Sequence, residues 1–174
     1  LMITKADLPA GWTRVKSDDS ATTAKDAAEH AAFAQCVGIR NTEPDKLTDV
    51  SSDDFTKQNS TVSSNASSYK SADDVTTDAS AFRDKAKLGR CMTTMLQSEA
   101  ATQLPAGAKL GKFPLQVGPG SGGGPSNVVA TISTSVKVTV SGTTLPVFIN
   151  SVYIAGKQIE ANLVLENIGA PVDA

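Results

Sequence analysis

The last third of the chain alternates apolar and polar residues. The even positions of residues 128–140 form the apolar series, which is Val128, Ala130, Ile132, Thr134, Val136, Val138 and Val140. A period of two residues predicts a strand with one buried face. Leu145–Ile154 is apolar at both parities, which predicts a second and central strand, and Ile159–Leu165 alternates again. The short connections contain Gly142 and Gly156, so we expect an antiparallel meander.

Two earlier stretches have helical spacing and would cover the apolar face of this sheet. Ala24–Val37 is rich in alanine and is followed by Gly38, a common helix end. Its predicted apolar stripe is Ala28, Ala32, Phe33, Cys36 and Val37. Ser71–Asp74 resembles a capping box and opens a second helical region. Two stripes follow, one of Val75, Ala79 and Phe82, the other of Leu88, Cys91, Met92, Met95 and Leu96. Gly89 lies in this region, which is therefore two helices or one bent helix.

The other segments are less regular. Trp12 is expected to anchor the core and to lead a short strand, while Asn41–Lys57 is interpreted as a polar connection. The Ser- and Asn-rich Gln58–Lys70 is predicted to be a solvated strand, and Lys109–Val117 a further strand. Gly118–Pro125 is interpreted as a hairpin loop, because it lacks the Gly-Lys-Ser/Thr ending of a phosphate loop.

These elements predict one domain over residues 1–174, of the α+β class, with an antiparallel β-sheet and two or three α-helices packed on one face. Apolar residues make up 40% of the chain and aromatic residues 5%, so the core is expected to be aliphatic. The net charge of −2 includes no block of like charge, which argues against a surface for nucleic acid or anionic membranes. No apolar run approaches the roughly 18 residues of a membrane span. The opening Leu1–Thr4 is typical of an artificial boundary or a trimmed mature end rather than a signal peptide.

The two cysteines, Cys36 and Cys91, lie on the apolar stripes of two predicted helices. If both helices lie on the same face of the sheet, the sulfurs meet. A disulfide is favoured, because an even pair beside Ser- and Thr-rich loops is typical of an oxidising compartment. The alternative is a pair of buried free thiols. A metal site is not expected, since neither cysteine has a second Cys or His at ligand spacing.

The chain offers few signs of catalysis. His30 is the only histidine, and its place within a predicted helix is typical of a surface or boundary residue. There is no Gly-x-Ser-x-Gly nucleophile motif. We therefore predict no catalytic residues, no metal and no cofactor.

Several short motifs together resemble a group of exported actinobacterial domains. They are Leu8–Trp12, Cys36 at the end of the first helix, the Ser-rich strand leading into Ser71–Asp73, Arg90–Cys91, and two strands flanking Gly156–Lys157 in Leu145–Leu165. The group includes extracytoplasmic sensor domains of receptor Ser/Thr kinases and envelope lipoproteins, some of PsbP-like fold. The resemblance implies a helix-backed antiparallel sheet, export, and a binding or sensing role. The chain differs from the kinase sensors in having a single cysteine pair.

The sequence is therefore compatible with three functions. The first is a non-catalytic secreted or cell-envelope domain that binds a small ligand, a lipid or a protein partner between its sheet and helices. Any membrane attachment would depend on an anchor outside this chain. The second is a hydrolase with a Ser-based site, and the third is a structural or inhibitory protein that pairs through a strand edge near Gln58–Lys70.

Overall fold

A computed structural model describes residues 2–16, 24–103, 108–112, 114–119 and 128–169. The helices are α1 (Ala24–Val37), α2 (Ala72–Ser80) and α3 (Lys85–Gln103). The strands are β1 (Thr13–Val15), β2 (Lys46–Ser51), β3 (Asp54–Lys57), β4 (Ser60–Tyr69), β5 (Lys109–Leu110), β6 (Gln116–Pro119), β7 (Val128–Val140), β8 (Thr143–Gly156) and β9 (Ile159–Ile168). Short 3₁₀ turns cover Lys5–Asp7, Glu43–Asp45 and Ala81–Arg83. The class is α+β, as predicted.

The described strands form one antiparallel sheet in the order β1-β3-β4-β9-β8-β7-β5. β2 and β3 both pair with β4, each along a different part of its length. β5 and β6 pair with β7 in the same way. The predicted meander is confirmed as β7-β8-β9, and β8 lies between the other two as its two-sided apolar pattern indicated. The predicted strand over Lys109–Val117 is instead split into β5 and β6, with Phe113 outside the described residues.

The apolar residues of β7 and β9 lie on opposite faces of the sheet. Directly paired residues on antiparallel strands point to the same side. Ile132 pairs with Ser151, and Ser151 pairs with Val164, so Ile132 shares its face with Val164. Leu163, one residue earlier on β9, therefore points to the other face. The expectation of a single apolar face is wrong, and the sheet has two faces to cover.

The helices cover the face that carries Ile132 and Val136, both of which are buried. The opposite face is covered in part by the start of the chain, because the Ile3 backbone N–H donates to Ser64 Oγ at 2.9 Å. Ser64 pairs with Leu163, which places residues near Ile3 against that second face. Different segments thus cover the first face and part of the second, where Ile159 is still exposed.

α1 has its predicted bounds, and Gly38 ends it at a φ of +79°, a backbone conformation that favours glycine. The predicted stripe of α1 is only partly correct. Phe33 is half-buried and Val37 is buried, together with Ala34, but Ala28, Ala32 and Cys36 are exposed. The helix has turned its packing face toward residues 33, 34 and 37.

Cys36 and Cys91 form a disulfide, with an S–S distance of 2.03 Å and a Cα–Cα distance of 5.8 Å. It joins α1 to α3 across a sequence separation of 55 residues. Cys91 is buried and packs in a core cluster with Val37, Ala81 and Leu88. The predicted disulfide is confirmed, and it ties together two helices that cover the sheet.

The second helical region consists of two helices, which is one of the two alternatives that the sequence left open. The break falls at Ala81–Asp84 and not at Gly89, which lies inside α3. Ser71 caps α2: its hydroxyl accepts from the Asp74 backbone N–H, and the Asp74 carboxylate accepts from the Ser71 backbone N–H at 3.0 Å. The predicted capping box is therefore confirmed. Leu88, the most deeply buried large side chain described, is 1% exposed and begins the stripe of α3.

The segment from Asn41 to Lys57 was wrongly interpreted as a connection, since it contains β2 and β3. These strands were missed because their side chains are mostly polar. β2 pairs with β4 alone among the described strands, whereas β3 lies between β1 and β4. Both β2 and β3 pair with β4 along one edge, while β9 pairs along the other. β4 is therefore an interior strand with alternate buried residues, and the predicted free edge at Gln58–Lys70 is wrong.

The first turn of the meander has its glycine at a position of positive φ, as predicted, whereas the second turn does not. Ser141 and Gly142 both have positive φ, at +51° and +82°, which is the twist that a tight hairpin requires. At the second turn the positive φ of +55° falls on Lys157 and not on Gly156, which ends β8.

Of the predicted glycine-rich loop, residues 120–125 lie outside the described residues. Within the described ranges, none of the helices has the length and apolarity that crossing a membrane requires.

Candidate ligand-binding cavity

A cavity of about 300 Å³ lies between the helices and the sheet. Its helical wall is apolar and is formed mainly by Phe33, Ala34, Phe82, Leu88, Met92 and Met95. Its floor is formed by strands of the sheet and is polar, with Asn65, Ser67, Tyr69, Ser151, Tyr153, Glu160 and Asn162. This volume is at the lower end of the range for small-molecule sites, and the mixture of an apolar wall with a few polar groups is typical of them.

The floor is polar because the register brings the polar side of three strands together. Ser67 on β4 pairs with Glu160 on β9, and Asn65 pairs with Asn162. Asn162 pairs in turn with Tyr153 on β8. Each row of side chains thus crosses from β4 to β8 on the helix-covered face. Residues that look solvent-facing in the sequence are placed under the helices.

Glu160 is the most deeply buried acidic residue of this floor, at 9% exposed. Its Oε2 atom accepts a hydrogen bond of 3.2 Å from the Tyr69 hydroxyl. Burial, followed by the charge of the nearby Asp78, raises the pKa of Glu160 to about 8. A carboxyl group in this position is neutral over much of the ordinary pH range.

Asp78 approaches the same region from α2. Both of its carboxylate oxygens accept from the Thr42 hydroxyl, at 2.8 and 2.6 Å. Burial raises the pKa of Asp78 as well. Two carboxyl groups in one poorly solvated place resist carrying two negative charges, so Asp78 and Glu160 favour sharing one charge between them.

Three buried side-chain oxygens lack a hydrogen-bond partner among the described residues: Glu160 Oε1, the Tyr153 hydroxyl and Thr134 Oγ1. The first two belong to side chains that line the cavity. Buried polar atoms in proteins are nearly always partnered, and an orphan costs about 1–3 kcal/mol. These two oxygens belong to neighbouring side chains of the cavity floor, since Tyr153 and Glu160 each affect the pKa of the other. Burial is also the main cause that raises the pKa of Tyr153, so its hydroxyl keeps its proton.

The aromatic rings near these orphans are fixed by stacking. Phe82 and Tyr153 stack with their ring centroids 4.6 Å apart and an interplanar angle of 25°. Phe82 belongs to the turn between α2 and α3, whereas Tyr153 belongs to β8. This contact holds the Tyr153 hydroxyl in place at the junction of helices and sheet.

A second charged group lies at another part of the cavity lining. Lys46 bonds to Glu43 at 2.8 Å and to Asp49 at 3.2 Å. His30 lies 3.6 Å from Glu43, and its side chain is 52% exposed. The exposed His30 marks this end as the side of the cavity nearer to solvent. The single lysine there already has two carboxylate partners.

The structure places the residues singled out in the sequence at three different locations. His30 is 52% exposed, as predicted for a surface or boundary residue, and it also lines the cavity and contacts Glu43. Trp12 is half-buried beside β1 and does not line the cavity. Cys36 and Cys91 form the disulfide behind the helical wall. The cavity-lining residues Glu160, Asp78 and Tyr153 were not predicted. Glu160 and Asp78 are charged residues outside the predicted apolar stripes, and Tyr153 lies in a strand that is apolar at both parities. Only Glu160 had a feature in the sequence that could have drawn attention to it, because it is a charged residue between the apolar Ile159 and Ala161.

Comparison of the chain with protein-family models, with curated proteins and with solved structures found no match.

Proposed function

We propose that this chain is an exported, non-catalytic domain that binds a small ligand in the cavity between its helices and its sheet. The observation that carries the proposal is the cavity itself: an apolar wall faces a polar floor on which two buried oxygens, Glu160 Oε1 and the Tyr153 hydroxyl, lack partners. A space that was only a packing defect would be lined by apolar atoms, whereas this one presents unsatisfied groups to whatever enters.

Export is supported by the disulfide, because such bonds persist mainly in oxidising compartments outside the cytoplasm. The resemblance to extracytoplasmic sensor domains and envelope lipoproteins, carried by the motifs around Trp12, Cys36 and Cys91, points to the same location. In this proposal the domain senses or carries its ligand at the cell envelope.

The proposal is tested by filling the cavity from its floor. Ser151 points under the helices, whereas Ser133, on the adjacent strand β7, points to the opposite face, since it pairs with Asn150. Ser151→Phe should abolish the saturable fluorescence increase of the neutral dye N-phenylnaphthylamine that we expect from the unchanged protein. Ser133→Phe, with the same added volume, should leave that signal unchanged.

Thermal unfolding of each variant shows whether it is folded. Should Ser151→Phe not fold, Met95→Trp tests the same point from the helical wall. A dye signal equal to that of the unchanged protein in a folded cavity-filled variant, or no dye binding to the unchanged protein, would contradict the proposed function.

A further inference from the structure

The charged side chains of the cavity lining are unequal in sign. They are His30, Glu43, Lys46, Asp78 and Glu160. The only permanent cation among them, Lys46, is 2.8 Å from Glu43 and already has Asp49 as a further partner. Asp78 and Glu160 have hydroxyl donors, but neither forms an ion pair within the described part of the chain. Arg40, whose charge acts on Asp78, is itself paired with Asp45 and Asp74. The floor of the cavity therefore has an excess of acidic groups and no direct counterion among the described residues.

The hydrogen bonds of the cavity floor also leave one acidic oxygen without a partner. Glu160 Oε1 has no hydrogen bond of normal geometry within the described residues, although the Tyr153 hydroxyl and Asp78 lie near enough to Glu160 to affect its pKa by hydrogen bonding. The other oxygen of Glu160 and both oxygens of Asp78 accept from hydroxyl groups. A positively charged donor would give Glu160 Oε1 a hydrogen bond of normal length and would give the acidic pair a counterion.

The surroundings suit a cation that carries an apolar body. The rings of Tyr69 and Tyr153 lie beside the carboxyl pair, and aromatic faces attract organic cations when water is excluded. Phe33, Met92 and Met95 supply an apolar wall opposite the floor. A hydrated metal ion would leave that wall without a partner, whereas an amine with a hydrocarbon body contacts both sides.

We propose that the ligand is a small organic cation, a protonated primary or secondary amine with an apolar body, whose ammonium group donates to Glu160 Oε1 beside Asp78. This inference rests on the proposed function, since it names the chemical class that the same cavity takes. The Tyr69 and Thr42 hydroxyls hold the two carboxylates in place, and the Tyr153 oxygen is a further acceptor for the ammonium. Burying an ion pair is favourable only with such additional hydrogen bonds.

Binding of the cation displaces a proton. In the empty cavity the carboxyl pair holds a proton near neutral pH, for the reasons of burial and mutual charge given above. The incoming ammonium replaces that proton as the counterion, and the proton passes to the buffer. The amine keeps its own proton, because amines of this kind are protonated near the pKa of a lysine side chain, about 10. Affinity should therefore rise between pH 6 and pH 8, roughly up to tenfold per pH unit.

The experiment uses three probes of nearly equal shape: phenethylamine, phenethyl alcohol and hydrocinnamate. Isothermal titration of the full chain should show phenethylamine binding at least about tenfold more tightly than the alcohol, and hydrocinnamate binding least. Titration in buffers of different ionisation enthalpy should show proton release with the amine alone. Glu160→Gln, which keeps the shape of the side chain, should lose the preference for the amine over the alcohol and the proton release. Ser133→Phe, on the opposite face of the sheet, should keep both.

Asp78→Asn provides a second variant, which should reduce the preference for the amine in the same direction. Equal affinity for amine and alcohol, tighter binding of hydrocinnamate, or a Glu160→Gln variant that still prefers the amine would overturn the inference. If N-phenylnaphthylamine enters the cavity and is blocked by Ser151→Phe while no amine preference is found, the inference fails and the proposed function stands. If the dye is also excluded, both fail.

Discussion

Glu160 departs from the usual rule that a buried carboxylate has a positive partner. It lies on β9, with a neighbour on each side that the sequence marks as apolar, and one of its oxygens is orphaned. Its raised pKa follows from that placement. In the folded protein the group binds a proton to a higher pH than it does in the unfolded chain, where its ordinary pKa is about 4.5.

The stability of the protein should therefore fall as the pH rises from about 5 to 8. In this window the folded state holds a proton on Glu160 that the unfolded chain releases, so the free energy of unfolding decreases by up to roughly 1.4 kcal/mol per pH unit from this group. Glu160→Gln should remove most of that slope. Urea unfolding of both proteins across the window measures the difference.

Burial also raises the pKa values of Asp78 and Glu166, so part of the slope should remain in Glu160→Gln. Two other acidic groups do not contribute in this window. The hydrogen bond from Arg40 lowers the pKa of Asp45, and the hydrogen bond from Ser71 lowers that of Asp74, so both titrate below the window. Parallel pH profiles for the unchanged protein and Glu160→Gln would contradict the placement of Glu160 in a poorly solvated site.

At the scale of elements, the helical wall of the cavity is held by one covalent bond and one compact core cluster. α1 and α3 meet at the disulfide, and Leu88 and Val37 pack beside it. α2 is attached separately, through its cap at Ser71 and through the ion pair of Asp74 with Arg40. The wall thus consists of two joined helices and one that is anchored to the segment after α1.

Reduction of the disulfide should lower the free energy of unfolding by up to roughly 4 kcal/mol, because the bond closes a long loop and restricts the unfolded chain. Denaturant unfolding with and without a reductant measures this effect, with thiol titration to verify reduction. The variant Cys36→Ala/Cys91→Ala is the control and should not respond to reductant. A fully reduced protein as stable as the oxidised one would show that the bond contributes nothing to the fold.

For the whole molecule, the sequence predicted those elements whose faces differ in polarity. α1, the capping box at Ser71 and the β7-β8-β9 meander were predicted because each has one apolar face or a clear end signal. β2 and β3 were missed because their side chains are mostly polar and show no clear alternation. The two-faced sheet was missed because periodicity gives the parity of each strand but not the register that joins Ile132 to Val164.

The cavity could not be predicted for the same reason. Its floor consists of polar residues that three strands place under the helices, and a polar residue in an alternating strand is normally interpreted as solvent-facing. Only the pairing of Ser67 with Glu160, and of Asn162 with Tyr153, shows that these side chains share one buried face. Local pattern thus predicts the scaffold, whereas long-range register determines the site.

The most direct test of the central claim is methyl NMR of the full chain during titration with phenethylamine. Methyl signals of residues on the cavity wall, Leu88, Met92 and Met95, should shift in a saturable way. Those of Leu163 and Leu165, on the opposite face of the sheet, should remain in place. Shifts confined to Leu163 and Leu165, or no saturable shift of any cavity methyl, would contradict a binding site between the helices and the sheet.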